Sequence, residues 1–142
     1  MSSQNTQLCC AGAEFLVLGH LLISGIPTFK SYTNTPGYDL IATNPKAKRS
    51  VRIQVKSRQR IGAHGFPIKN FDSDFVVIAL LNVRSKGEKA EIRAPQFYVL
   101  PIDVVKVLPR SAGVGNITFS KIQQFESYRE KWDLIAADLG FS

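Results

Sequence analysis

The sequence predicts an α/β domain, with a central mixed sheet of about five strands flanked by an N-terminal helix and C-terminal helices. Three observations lead there. An apolar helical pattern opens the chain, strand-like segments fill residues 28–100, and helical patterning returns after Pro101. The 142 residues suit one domain with a buried core, spanning 1–142, and no internal repeat or linker divides them.

Residues 7–24 read as the first helix, because Leu8, Ala11, Phe15, Leu18 and Leu22 recur at spacings of three and four. Ser24-Gly25 followed by Pro27 is a stop signal, with Gly25 suited to the left-handed position after a helix. Thr28 to Tyr32 reads as a short strand, and Asn34-Thr35-Pro36-Gly37 as a turn. A second strand covers Tyr38 to Thr43, and Asn44-Pro45-Lys46 opens another turn. From Ser50 to Arg58, Val51, Ile53 and Val55 alternate with Arg52, Gln54 and Lys56, a clear strand pattern. The short link before it predicts an antiparallel hairpin.

Gly62, Gly65 and Pro67 make residues 61–72 a loop. Phe75 to Leu81 is continuously apolar, as a strand covered on both faces should be. Arg84 to Arg93 is a charged connection, and Gln96 to Leu100 a further strand. Pro101 is placed to open a short helix through Leu108, and Ser111 to Asn116 is a turn. Ser120 and Gln123 form a capping box for a last helix. Ile122, Phe125, Trp132, Ile135 and Leu139 make its apolar stripe, and Gly140 ends it.

Composition narrows the function. Cys9 and Cys10 are adjacent, so they cannot staple distant segments; with two scattered histidines they also give no zinc spacing. A reducing cytoplasm is the expected compartment. No apolar run reaches the ~20 residues of a membrane span, so no membrane association is expected. The net charge of +7 is unevenly placed. Residues 1–71 hold nine Lys/Arg against two acids, Glu14 and Asp39, whereas residues 72–142 hold nine of each sign. Seven basic residues fall between Lys46 and Arg60 with no acid among them. Such a run is either a solvated basic face or a phosphate-binding surface.

The segment Gly37-Tyr38-Asp39-Leu40-Ile41, followed by Ile53-Gln54-Val55-Lys56, carries the chemistry. It resembles the Asp…(Glu/Gln)-Xaa-Lys signature of the PD-(D/E)XK nuclease superfamily, which includes restriction endonucleases and Holliday-junction resolvases. Glu14 matches the additional acid that many members supply from the first helix. The likeness covers about the first 60 residues and implies a restriction-endonuclease-like core. It implies a catalytic set of Glu14, Asp39, Gln54 and Lys56, a Mg²⁺ or Mn²⁺ cofactor, and a nucleic-acid substrate, DNA foremost.

Elementary geometry supports the same grouping. Residues i and i+2 of a strand share a face, so Gln54 and Lys56 do. Neighbouring strands lie ~5 Å apart, so Asp39 can sit beside Gln54. The carboxylates of Asp39 and Glu14, the Gln54 side-chain oxygen and the Val55 carbonyl are hard donors of the kind Mg²⁺ takes. Lys56 would hold a nucleophilic water or a phosphate oxygen. Lys46, Lys48, Arg49, Arg58 and Arg60 would bind flanking phosphates.

Two departures from the family pattern stand out. Position 54 more often carries Glu; Gln donates an oxygen without charge, so the metal is held more weakly unless Glu14 contributes. Many members also place a helix after the Xaa-Lys strand, whereas residues 59–73 contain two glycines and a proline. The expected function is a Mg²⁺-dependent phosphodiesterase acting on nucleic acid. The alternative is a non-catalytic nucleic-acid-binding or protein-interaction module on the same fold. Strict base specificity would require a homodimer or a partner subunit.

Overall fold

The structure is a computed structural model and describes residues 3–31, 37–84, 93–110 and 115–141. Helix α1 runs Ser3–Ile23 and starts earlier than the pattern predicts. Its end follows the expected stop: Gly25 takes φ 84°, its N–H bonds the Leu22 carbonyl, and the Ile26 N–H bonds the Leu21 carbonyl. Those two bonds satisfy carbonyls that a helix end leaves open.

The buried face of α1 is not the predicted one. Ala13, Val17 and Leu21 are inaccessible, while Leu8, Phe15 and Leu22 are exposed. Apolar residues occupy most of the helix circumference, so periodicity alone does not choose a face. By length and composition Asn5–Ile23 is apolar enough to cross a bilayer, which corrects the reading that no segment is. In the fold its inner face covers the sheet.

That sheet has five strands in the order β1-β2-β3-β5-β6. They are β1 (Thr28–Lys30), β2 (Leu40–Asn44), β3 (Arg49–Arg60), β5 (Phe75–Arg84) and β6 (Gln96–Pro101). The β1/β2, β2/β3 and β5/β6 pairs are antiparallel and β3/β5 is parallel, so the sheet is mixed as predicted. Alternation divides its side chains between two cores. Leu40, Ala42, Val51, Ile53 and Val77 face α1, whereas Val76, Ile78, Tyr98 and Leu100 face the other side. Strand β5 is buried on both faces, which explains its unbroken apolar sequence.

Residues 61–72 are not loop throughout. Strand β4 (Gly65–Pro67) pairs with β7 (Asn116–Thr118) in a small antiparallel sheet. Phe66 and Ile117 from this pair fill the second core. A three-residue strand with Gly and Pro at its ends has no local signature, and only the distant partner makes it a strand. Pro101 stands just before helix α2 (Ile102–Lys106) rather than as its first residue.

The single C-terminal helix predicted from Ser120 is also corrected. Short 3-10 turns at Phe119–Lys121 and Phe125–Tyr128 precede helix α3 (Asp133–Asp138). Gln124 and Glu130 have positive φ, and Arg129 forms a β-bridge with Tyr98; these interrupt any continuous helix. The apolar stripe therefore serves both cores, Ile122 and Phe125 beneath one face and Trp132, Ile135 and Leu139 on the other. Gly140 ends α3 at φ 83° as expected. The turn at 34–36, the connection at 85–92 and most of the 111–116 turn lie outside the described residues.

Candidate active site

Strand register builds the site. Leu40 pairs with Ile53, which leaves Asp39, the residue before β2, at the strand entry beside the Gln54–Lys56 stretch of β3. Gln54 and Lys56 share one face of β3 by alternation. The Asp39 N–H donates to the Ile53 carbonyl at 2.8 Å. Its side chain reaches further, and Oδ2 accepts the Val55 N–H at 2.8 Å. Strand β2 begins only at Leu40, so at Val55 the Asp39 carboxylate takes the place of the missing strand partner. The amide and carbonyl of one strand residue leave on the same edge, so the Val55 carbonyl points toward this carboxylate as well.

Gly37 fixes the approach. It adopts φ 104°, and a Cβ there would lie 2.6 Å from the Asp72 Cβ. Only glycine lets the 70–72 segment close over the strand entry. That segment brings Lys69 near Lys56.

Glu14 arrives from α1. Lys30 of β1 holds it at 3.5 Å. Burial raises the Glu14 carboxyl above its ordinary range, and the Asp39 charge raises it further, while Lys30 partly opposes both. Two carboxylates thus share one region, and the Asp39 charge discourages ionisation of Glu14. Burial pushes the Lys56 amine below its ordinary range; Asp39 opposes that shift and Lys69 adds to it. Glu14, Asp39 and Lys56 are therefore electrostatically coupled.

Gln54 is the unusual member. It is 6% exposed, and its Oε1 has no hydrogen-bond partner among the described residues. A buried acceptor left unpaired costs about 1–3 kcal/mol. No three His, Cys, Asp or Glu side chains converge on a metal geometry among the described residues. Any cation here must draw on the amide oxygen and the main chain as well as on Asp39 and Glu14. All four donors are hard oxygens of the kind such a cation takes.

The basic residues do not form one cluster. Arg49 to Arg60 spans twelve residues of β3, roughly 35 Å at ~3.3 Å per residue. Lys46 and Lys48 occupy the hairpin turn at one end. Arg49 points to the opposite face, its guanidinium near Gly140. Arg58 and Arg60 lie at the other end, lining a groove of ≈ 800 Å³ with His64 and Arg84 that starts beside Lys56 at Ser57. Arg52 shares the Gln54 face by alternation. Its N–H donates to Asp74 at 2.7 Å and its guanidinium lies over Tyr38.

Sequence reasoning missed Lys30, Lys69 and Arg84 as neighbours of this region. Lys69 and Arg84 come from distant segments with no local signal. Lys30 was legible only as a basic residue near the end of a strand. His20 stacks on Trp132 and meets Phe97 edge-on.

No protein-family model and no curated protein matches the chain. Among solved structures it resembles a bacterial homing endonuclease, I-Ssp6803I, with a TM-score of 0.66. The two are 21% identical over 93% of this chain and 92% of that one. At this identity the likeness establishes the fold alone, a mixed α/β core.

Proposed function

We propose that the chain is a metal-dependent phosphodiester hydrolase acting on nucleic acid, with DNA as the first substrate to test. The observation that carries this reading is the buried Gln54 oxygen, unpartnered among the described residues, next to Val55, whose N–H the Asp39 carboxylate accepts. The fold shared with a homing endonuclease supports the same substrate class. Asp39, Gln54 and the Val55 carbonyl would hold Mg²⁺ or Mn²⁺, with Glu14 as a further acid. Such an ion lowers the pKa of bound water and neutralises phosphate charge. Asp39 is held in place by the Val55 amide, so it meets a cation without reorganising. Lys56, with its amine pushed down by burial, is suited to orient a water or to hold a phosphate oxygen. Arg52 and Arg58 extend the same strand face and would hold flanking phosphates.

The test is cleavage of supercoiled, linear and branched DNA, and of RNA, with Mg²⁺, Mn²⁺ or chelator. Cleavage that needs the metal and is lost in Asp39→Asn supports the proposal. A second reading has its own observation: Gln54 brings no charge, and among the described residues no three His, Cys, Asp or Glu side chains converge. A protein that binds nucleic acid but cuts nothing with either metal is the non-catalytic module.

A further inference from the structure

We infer that the groove at the far end of β3 takes one unpaired DNA strand, held through its phosphates by Arg58, Arg60 and Arg84. The inference deepens the proposed function and rests on it for the place of the cut. It names the substrate class as duplex DNA that carries a single-stranded tail or branch.

Register makes the groove cationic. Arg58 pairs with Leu80 across β3 and β5, and the next pair is Arg60 with Arg84. A regular ladder would set Asn82 beside Arg60. Instead β3 advances two residues between these pairs while β5 advances four, through a bulge where Asn82 adopts φ 56°. Asn82 is buried, and its side chain donates to the Ala94 carbonyl at 3.0 Å, which anchors the bulge. Bulges re-aim side chains beside functional sites. This one sets two arginines side by side on neighbouring strands, and like charges so placed repel. No Asp or Glu is among the described residues that line the groove. An anion seated between the arginines relieves the repulsion, and the guanidinium fork matches phosphate.

The walls set the scale. Thr6 and Cys10 of α1 stand on one side, where the Ser57 hydroxyl donates to the Cys10 sulfur at 3.6 Å. The β4/β7 pair stands on the other. Between them the turn at Gly62 is pinned at both ends. The Ile61 N–H donates to the Arg84 carbonyl and the Phe119 N–H to the His64 carbonyl, each at 2.7 Å. The ≈ 800 Å³ of the groove matches a pocket for one small molecule, room for about two or three nucleotides of a single strand. A duplex is a larger body, its major groove alone being ~12 Å wide.

Spacing gives the path. Lys56, Arg58 and Arg60 alternate along β3, so their charges recur about every 6.6 Å, near the phosphate repeat of an extended strand. The row starts at the candidate site and ends in the groove. A strand parted from its complement at the cut would follow it. Phe66, the one phenyl ring in the described lining, is buried, so the grip is on the backbone and indifferent to sequence.

Fluorescence anisotropy in chelator tests this, comparing a blunt duplex with the same duplex carrying a 5′ or 3′ tail of roughly six nucleotides. One tail polarity should tighten binding by about tenfold or more and steepen the log–log salt slope by about 1.4, for two phosphates at ~0.7 each. Arg84→Ala should remove most of the gain and leave blunt-duplex affinity within about twofold, and Arg84→Lys should restore much of it, because the phosphate contact is chiefly one of charge. On a Cys9→Ser background, the tail should also slow alkylation of Cys10 by iodoacetamide several-fold, which reads the groove with its arginines intact. Equal affinity for tailed and blunt DNA overturns the inference. So does a gain that survives Arg84→Ala, or one lost only in proportion to blunt-duplex affinity, which would make the groove part of the duplex path. A tail that leaves Cys10 alkylation unchanged overturns it as well. No cleavage is read, so the nuclease reading fails separately, on a chain that holds the tail and cuts nothing.

Discussion

The Asp39 carboxylate accepts a hydrogen bond from the Val55 N–H at 2.8 Å, one residue before strand β2 begins. A side chain thus completes the edge of a ladder that the backbone leaves open. The acid is anchored through one oxygen, and the other remains for a ligand. Asp39→Asn keeps the size of the side chain and an oxygen to accept that amide. It should leave the melting temperature within a few degrees and lower metal-dependent cleavage by about 10² or more, the scale of single electrostatic deletions. Thermal denaturation and single-turnover cleavage, measured on the same preparation, check both halves.

Gln54 separates site from scaffold. No described residue pairs with its buried oxygen, so Gln54→Leu should stabilise the metal-free protein by about 1–3 kcal/mol, the cost of an unsatisfied buried group. The same substitution should abolish any rise in melting temperature caused by Mg²⁺ or Mn²⁺. Gln54→Glu should enlarge that rise, because it adds charge to the oxygen. Denaturant melts of the three proteins, with metal and with chelator, decide it. A loss of stability in Gln54→Leu would mean that the amide is satisfied by ordered water.

Glu14 should behave as a carboxylate kept for function at a cost to folding. Its pKa is raised, chiefly by burial and then by Asp39, so the folded state binds its proton more tightly than the unfolded state does. Its contribution to stability is therefore full below the ordinary carboxylate range and is lost as pH rises through the raised value. Glu14→Gln should leave stability at pH 4 nearly unchanged and raise it at pH 7, while weakening metal binding. Paired melts at the two pH values read the sign. A destabilised variant at pH 7 would show that the Lys30 pair outweighs burial.

Much of this site could be read from residues 37–56 alone, because it depends on alternation and one short hairpin. Val51, Ile53 and Val55 fixed which side of β3 was core, so Gln54 and Lys56 had to share the other side. Two strands joined by a four-residue turn left little choice of register. The parts that were not legible depend on distance or on ambiguity. The face of α1 was misassigned because Leu8, Phe15 and Leu22 are as apolar as Ala13, Val17 and Leu21. The β4/β7 pair joins residues 65 and 118, and neither segment signals a strand by itself. The C-terminal stripe looked helical because Ile122, Phe125, Trp132 and Ile135 fit the spacing. No propensity revealed that Gln124 and Glu130 would turn the chain between two cores.

Lys56 gives a distinct pH signature. Burial lowers its pKa, so between the folded value and the ordinary lysine range the unfolded chain binds more protons than the folded one. Stability should then rise with pH across that window. Lys56→Met should remove the slope and be more stable than wild type below the window, because no buried charge remains. Cleavage by the variant should fall by about 10² or more, as for loss of one transition-state charge partner. Denaturant titrations across the alkaline range, set beside cleavage rates at pH 7, test both.

The arrangement of arginines along β3 predicts how a duplex would lie. Arg52 and Arg58 extend the row of Gln54 and Lys56, and the turn residues Lys46 and Lys48 continue beyond it. If about five phosphates are neutralised, the log–log slope of duplex affinity against salt should be near −4.5. Each lost contact flattens it by about 0.9. Arg52→Ala with Arg58→Ala should therefore flatten the slope by about two units, and Lys46→Ala with Lys48→Ala by a similar amount. Arg49→Ala should leave it unchanged, because that guanidinium faces the end of α3 at Gly140. Both double variants should weaken unrelated sequences equally, since phosphates carry no base identity. Fluorescence anisotropy at several salt concentrations measures all three. Slopes indifferent to both double variants would make the basic run a solvated face and remove the electrostatic basis for nucleic-acid binding.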